Sequence, residues 1–199
     1  MKTIVINAGP KRRDVNAKLA HSAAKGAESS GSEVEFVDLY KIDLRGCMSC
    51  LICNNNDDEC KCYWKDEISP LIERILDADS LIIAAPVFFS EPTSHYRALM
   101  ERLIFCMVSY KIGNKFKGKV NVGLFYTVNY PLDYFEKSVR PNLKQSEDLL
   151  EMFNGDVEIH TYQNISRLTA KDAEMLKEKE EQLQRNLEET FEIGARLSQ

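Results

Sequence analysis

The chain has 199 residues, with 26 Lys and Arg against 31 Asp and Glu, for a formal net charge of −5. That length is ample for one buried core, and the acidic balance argues against a general nucleic-acid footprint. No apolar run approaches the roughly 20 residues needed to cross a bilayer, so no membrane partner is expected.

The N-terminus reads as a strand and not as a signal peptide, which leads to the expectation of a cytoplasmic protein. In that compartment six cysteines argue for metal or redox chemistry before disulfides. Thr3 to Ile6 is a short β-branched run that suits a strand buried on both faces. Gly9 and Pro10 break it, and from Val15 the apolar period changes: Val15, Leu19, Ala23 and Ala27 lie four apart on one helical stripe. The loop Asn7–Asn16 therefore lies where a strand's carboxyl end meets a helix N-terminus. Free N–H groups and the dipole converge there, and Lys11, Arg12 and Arg13 add charge. Such a place suits a phosphate, or is simply a strand-to-helix turn.

Glu33 to Asp38 alternates as a strand near a sheet edge would. Ile68, Leu71, Ile72, Ile75 and Leu76 follow at helical spacing, and Ser80 to Pro86 reads as a central strand. Tyr96, Leu99, Met100, Leu103 and Ile104 mark the next helix, and Lys119 to Tyr126 a further strand. A helical segment runs from about Leu132 to Phe153, restarting at Pro141 and stopped by Asn154 and Gly155. Val157 to Tyr162 makes a fifth strand. Leu176, Leu183, Leu187, Phe191 and Leu197 stripe a long, charged last helix. With no internal repeat and no linker, the chain reads as one domain over residues 1–199. Strands alternating with helices imply βαβ units with right-handed crossovers and a parallel sheet. Ligands of such sheets bind beyond the strands' carboxyl ends, where three loops qualify: Asn7–Asn16, Pro86–Ser94 and Thr127–Pro131.

The segment GCMSCLICNNNDDECKCYWKDEI is a cysteine-rich insertion at about residues 45–64. Cys47, Cys50 and Cys53 form two successive C-x-x-C steps, and Cys60 or Cys62 can complete a set of four. Thiolates this dense suit an iron–sulfur cluster or zinc, although zinc sites usually separate two C-x-x-C pairs by a longer loop. Thiols without metal are the third reading. Elsewhere packing accounts for the candidates: His21, His160, Cys106, Tyr63 and Trp64 read as structural, with His95 better placed beside the Pro86 loop.

Three stretches together carry a resemblance: NAGPKRRDVNAKL, GCMSCLIC…CKCYWKDEI and APVFFSEPTSHYRALMERL. The chain resembles the flavodoxin-fold NAD(P)H-dependent FMN reductases, and within them the iron–sulfur flavoproteins, chiefly over residues 1–130. The resemblance implies a flavodoxin-like three-layer α/β sandwich, with a five-stranded parallel sheet of order 2-1-3-4-5 and helices on both faces. It implies that Gly9, Lys11, Arg12, Asn16 and Ala17 line an FMN phosphate pocket. Pro86, Val87, Phe88, Phe89 and Ser90 would run along the flavin ring, with Thr127, Val128 and Asn129 on its other side. Cys47, Cys50, Cys53 and Cys60 or Cys62 would hold a four-iron cluster. The implied activity is NAD(P)H-dependent FMN oxidoreduction with no catalytic side chain, relayed to a small-molecule or redox-protein acceptor by a homodimer or homotetramer. A plain FMN or quinone reductase, or an electron carrier without nicotinamide turnover, is the alternative. Gly9 stands where the family has Ser and Ala17 where it has Thr, which removes two hydroxyl donors to phosphate, each worth about 0.5–1.5 kcal/mol.

Overall fold

The computed structural model describes residues 1–163 and 173–199. Five main strands alternate with helices: β1 Lys2–Asn7, α1 Val15–Ser29, β2 Glu33–Asp38, α2 Ile68–Leu76, β3 Ser80–Phe88, α3 Ser94–Met107, β4 Val120–Val128, α4 Arg140–Asp148, β5 Asn154–Gln163 and α5 Ala173–Leu197. The strands pair in parallel in the order β2-β1-β3-β4-β5, as expected from the resemblance. A right-twisted strand followed by a crossover helix packs back on its sheet in one hand, so these βαβ units place helices on both faces.

Side-chain alternation divides the core. Ile4, Ile6, Leu81, Ile83, Val122 and Leu124 face α2, α3 and α4, whereas Val5, Ile82, Ala84 and Phe125 face α1 and α5. Every one of these strand residues is fully buried, which accounts for the near-continuous apolar runs of β1 and β3. At the sheet's amino end the Thr3 hydroxyl meets those of Ser32, Ser80 and Ser198 at 2.7–2.8 Å, so a polar residue inside an apolar strand is satisfied without water.

The segment after β4 is helical from Leu132 to Phe153 and restarts at Pro141, as its sequence predicts. It is built of a helical turn at Leu132–Tyr134, a π-helical turn at Phe135–Val139, α4 with Pro141 in its first turn, and a 3₁₀ turn at Leu149–Phe153. Asn154 ends it in the left-handed conformation (φ 58°). In α5 the buried positions are Asn186, Thr190, Ile193, Gly194 and Leu197, while Phe191 is 38% exposed and Leu183 and Leu187 are only partly covered. Leu183, Leu187 and Leu197 of the predicted stripe pack on the core, whereas Phe191 turns outward, and small residues fill the closest approach. A Cβ on Gly26 would lie 1.9 Å from the Phe191 carbonyl oxygen, and one on Gly194 would lie 2.1 Å from that of Ala23. The backbones of α1 and α5 touch, and Ser22 Oγ donates to the Leu187 carbonyl at 2.6 Å.

That crossing predicts a large effect from one methyl group. Gly194→Ala must separate the helices, at a cost of about 2–3 kcal/mol, seen as a fall in Tm of roughly 4–12 °C for a chain this size. An unchanged Tm would show that the helices are not in backbone contact.

Candidate functional site

The three loops beyond the sheet's carboxyl edge are laced together by buried amides. The Asn7 side chain, at the end of β1, accepts from Gly9 N–H at 3.1 Å and from Asn16 Nδ2 at 2.8 Å, and donates to Asp38 at 3.1 Å. Asn16 Nδ2 also donates to the Ala84 carbonyl at 3.0 Å, and its Oδ1 accepts from Thr127 Oγ1 at 3.1 Å. Thr93 Oγ1 donates to the Ala8 carbonyl at 2.7 Å. Asn16 and Thr127 are buried, so these side chains are struts, and only the backbone of Asn16 faces the start of α1. A Cβ on Gly9 would come within 3.0 Å of Asn16 Nδ2 and 3.1 Å of Pro86 Cγ, so the space a serine would fill is already tight.

Asp14 caps α1, accepting the Ala17 N–H at 3.0 Å. The remaining N–H groups of the first turn have no intrahelical acceptor and point at the loop. Lys11, Arg12 and Arg13 are exposed around them. Arg12 Nε lies 3.8 Å from Asp38, which Lys41 also holds at 2.7 Å. Burial acts to raise the Asp38 carboxyl, but hydrogen bonds from Lys41 and Asn7 outweigh it, and its pKa lies below the ordinary value. Helix amides and exposed cations thus converge at this loop, an arrangement that suits an anion, with one amide already taken by a carboxylate.

The end of β3 forms a tight hairpin, with Val87 opposite Pro92 and Phe88 opposite Glu91. Phe89 and Ser90, at its tip, have φ of 52° and 66°, the two left-handed residues of a type I′ turn without glycine. Such strain persists where surrounding structure imposes it. Pro86 and Val87 are buried, as are Thr127 and Val128 across the edge, while Phe88 is 45% and Phe89 96% exposed. The predicted ring-lining residues thus offer backbone from four positions and aromatic surface from two.

The cysteine loop lies alongside. Cys47, Cys50, Cys53 and Cys62 line one small pocket of about 30 Å³ with Met48, Trp64 and Phe105. Cys60 does not line it, so the structure brings together four of the five predicted thiols. Two of these sulfurs already accept N–H groups, Cys47 from Ser49 at 3.4 Å and Cys62 from Arg102 Nη2 at 3.2 Å. Ser49 and Leu51, on either side of Cys50, have left-handed backbones. Among the described residues no three candidate ligands close round one point as they would round a single ion. Four thiols lining one small pocket are a soft donor set, chemically suited to iron–sulfur or zinc. Burial raises the thiols of Cys53, Cys60 and Cys106; Cys106, fully buried in α3, is structural.

Comparison with known proteins names this combination. Residues 1–130 match the family described as NADPH-dependent FMN reductase. The chain belongs to that family. An iron–sulfur flavoprotein of Methanocaldococcus jannaschii is 28% identical over 123 residues, covering 62% of each chain. One of Archaeoglobus fulgidus is 29% identical over 116 residues, covering 58% of this chain and 55% of that one. The matched stretch thus spans less than two thirds of these relatives. Among solved structures, an NAD(P)H:quinone oxidoreductase from Methanothermobacter marburgensis superposes with a TM-score of 0.74 at 16% identity, covering 100% of this chain and 98% of that one. An FMN-dependent NADH-azoreductase from Bacillus anthracis, in complex with FMN, superposes at 0.68 and 15% identity with full coverage of both chains. These likenesses establish the flavodoxin-like fold.

In this family member the cysteine pocket is built against α3. Glu101 Oε2 accepts the Cys47 N–H at 3.3 Å, and the Phe105 carbonyl accepts from Cys53 Sγ at 3.5 Å and Asn54 Nδ2 at 3.0 Å. Between them Arg102, 3% exposed, is bidentate to Asp66 and bonds Ser69 Oγ at 2.9 Å as well as Cys62. Sequence reasoning quoted both the Lys65–Asp66 pair and Glu101–Arg102–Leu103 but gave neither a role; a charged residue inside an apolar helical stripe was the available signal. The Tyr40 and His95 rings stack at 3.7 Å, which gives His95 a packing partner.

Burial acts to raise the Asp66 carboxyl, but bonds from Arg102 and the Ser69 and Ile68 amides prevail and hold it below the ordinary value. Its contribution is therefore present above the unfolded carboxylate value near 3.9 and lost as pH falls through the lower folded value. Asp66→Asn strands a buried guanidinium and is expected to cost about 3–5 kcal/mol in urea unfolding at pH 7. The gap to the unmutated chain should narrow as the pH is lowered below about 4. A cost that stays constant down to the acid limit would rule out the ion pair as its source.

Proposed function

We propose that the protein is an FMN-binding, NAD(P)H-dependent oxidoreductase whose cysteine loop holds an iron–sulfur cluster. The observation that carries this reading is adjacency. An anion cradle and an aromatic hairpin lie at the sheet's carboxyl edge, and α3, which leaves that hairpin, forms the back wall of the four-sulfur pocket. A phosphate would be held by the amides of the first α1 turn near Gly9, Asn16 and Ala17, with Lys11 and Arg12 as cations. The flavin ring would lie along Pro86–Ser90, with Thr127–Asn129 closing its other side. Cys47, Cys50, Cys53 and Cys62 would ligate the cluster, with Cys60 outside the set.

A bound flavin would supply two-electron chemistry with a nicotinamide, and a cluster one-electron transfer. The chain's own residues would bind, orient and shield these groups. Backbone groups of two strand ends would position the ring, and Arg102 bonds the sulfur of Cys62, one of the proposed ligands. The names of the relatives as iron–sulfur flavoproteins support the cluster, and family membership supports the flavin. The acceptor would be a small molecule or a redox protein. The exposed Phe89 and Trp64 favour pairing with a second copy of the chain. No described helix is long and apolar enough to cross a membrane, and a cytoplasmic setting would keep the free thiols reduced.

Anaerobic reconstitution with iron and sulfide, followed by metal and sulfide analysis, tests the reading. About four irons and four sulfides per chain are expected. Cys62→Ala should abolish incorporation and Cys60→Ala should leave it intact. Protein that takes up no sulfide, or that binds zinc instead, would leave a plain flavin reductase in place of the proposal.

A further inference from the structure

Among the described residues one buried charge has no counter-charge, and it lies beneath the cysteine loop. Lys115 is 4% exposed. It follows the small hairpin formed by Val108–Ser109 and Gly113–Asn114, and its backbone N–H donates to the Met107 carbonyl at 2.9 Å. Its Nζ donates to the carbonyls of Cys53 and Asn56, both at 2.6 Å. Among the described residues no carboxylate lies within 4.0 Å of that nitrogen. Asp57 feels its field but is paired with Lys111 at 3.4 Å and bonded to Ser109 Oγ at 2.7 Å. The other buried cation at the loop, Arg102, is by contrast neutralised by Asp66.

Two neutral carbonyls satisfy hydrogen bonds but do not balance a charge, and burying an ammonium unpaired is costly. Such a cation is explained where an anionic centre lies beside it. Besides Asp57, the groups that share its field are the thiols of Cys53, Cys60 and Cys106. Cys53 is the pocket sulfur whose own carbonyl Lys115 grips, and it is the deepest of the four, 9% exposed.

We propose that Lys115 is the counter-charge to the thiolate-bound centre, a positioning residue that holds Cys53 from below and favours the centre's reduced state. This rests on the cluster reading above. A cluster takes up one electron and no proton, so its net charge becomes one unit more negative. A fixed buried cation stabilises the reduced form more than the oxidised form, and charge near a cluster is one of the determinants of its potential. Electrons come from the bound flavin in turnover and from dithionite in the test.

The test uses the full-length, anaerobically reconstituted protein. Lys115→Gln keeps a donor for the two carbonyls and loses the charge; Lys115→Met keeps the shape and loses both; Lys115→Arg keeps the charge. Circular dichroism and iron content establish folding and loading, and a dithionite titration with redox mediators gives the potential. In the Gln and Met variants the reduced-to-oxidised ratio at a fixed potential should fall at least tenfold, 59 mV for one electron, while Arg stays near the unmutated value. Iron lost from folded Gln and Met variants but kept in Arg supports the proposal equally. An unchanged potential in loaded Gln or Met variants overturns it, as does iron loss from all three variants alike. If the unmutated protein assembles no cluster, the preceding reading fails and this one with it; if it does, a negative result falls on Lys115 alone.

Discussion

A buried guanidinium organises the region between β2 and α2. The stretch from Ile42 to Glu67 contains a single 3₁₀ turn, Cys53–Asn55, so regular backbone pairing cannot hold it. Arg102 supplies what is missing. It rises from α3 in the core and closes on Asp66, Ser69, Cys62 and the Arg45 carbonyl, tying both ends of the loop to one helix. Asn54 and Lys115 pin the middle, through the carbonyls of Phe105 and Val108 and through those of Cys53 and Asn56. Each contact pairs a buried polar group with another, which is what makes a long irregular segment affordable in a compact protein. The four pocket sulfurs therefore rest on a floor built of protein groups alone.

The loop between β1 and α1 is built on a different principle. There the side chains of Asn7, Asn16 and Thr127 bond one another, which joins β1, α1, β3 and β4 at the proposed phosphate site. What remains for a ligand is backbone and exposed cations. Asp14 complicates that arrangement, since its carboxylate satisfies an amide where an incoming phosphate would seek one. The family's usual Ser and Thr are replaced here by Gly9 and Ala17, and the tight space beside Gly9 shows the loop packed around that absence.

The fold was legible because burial on both sheet faces writes itself into sequence: β1 and β3 read as unbroken apolar runs, and Val15, Leu19, Ala23 and Ala27 all fall on the buried stripe of α1. The last helix was legible through Leu183, Leu187 and Leu197, which pack on the core, but Phe191 turns outward because close backbone contact at Gly26 and Gly194 selects small residues, which an apolar-stripe reading discounts. The cysteines announced themselves by spacing, but spacing alone could not separate Cys60 from Cys62. What the structure adds is that Cys62, and not Cys60, lines the pocket, where Arg102, 40 residues away in sequence, bonds its sulfur. Lys115 was silent for the same reason, being an ordinary lysine until the chain around it buries it.

The central claim is that one chain couples a flavin to a one-electron centre. An anaerobic reductive titration with NADPH, followed by visible absorbance, tests it most directly. The account predicts bleaching of both the flavin bands and the broad cluster absorbance, with about three electrons taken up per chain, two by the flavin and one by the cluster. Uptake of only two electrons, with flavin bands alone bleaching, would contradict the coupling, and no bleaching at all would contradict the oxidoreductase.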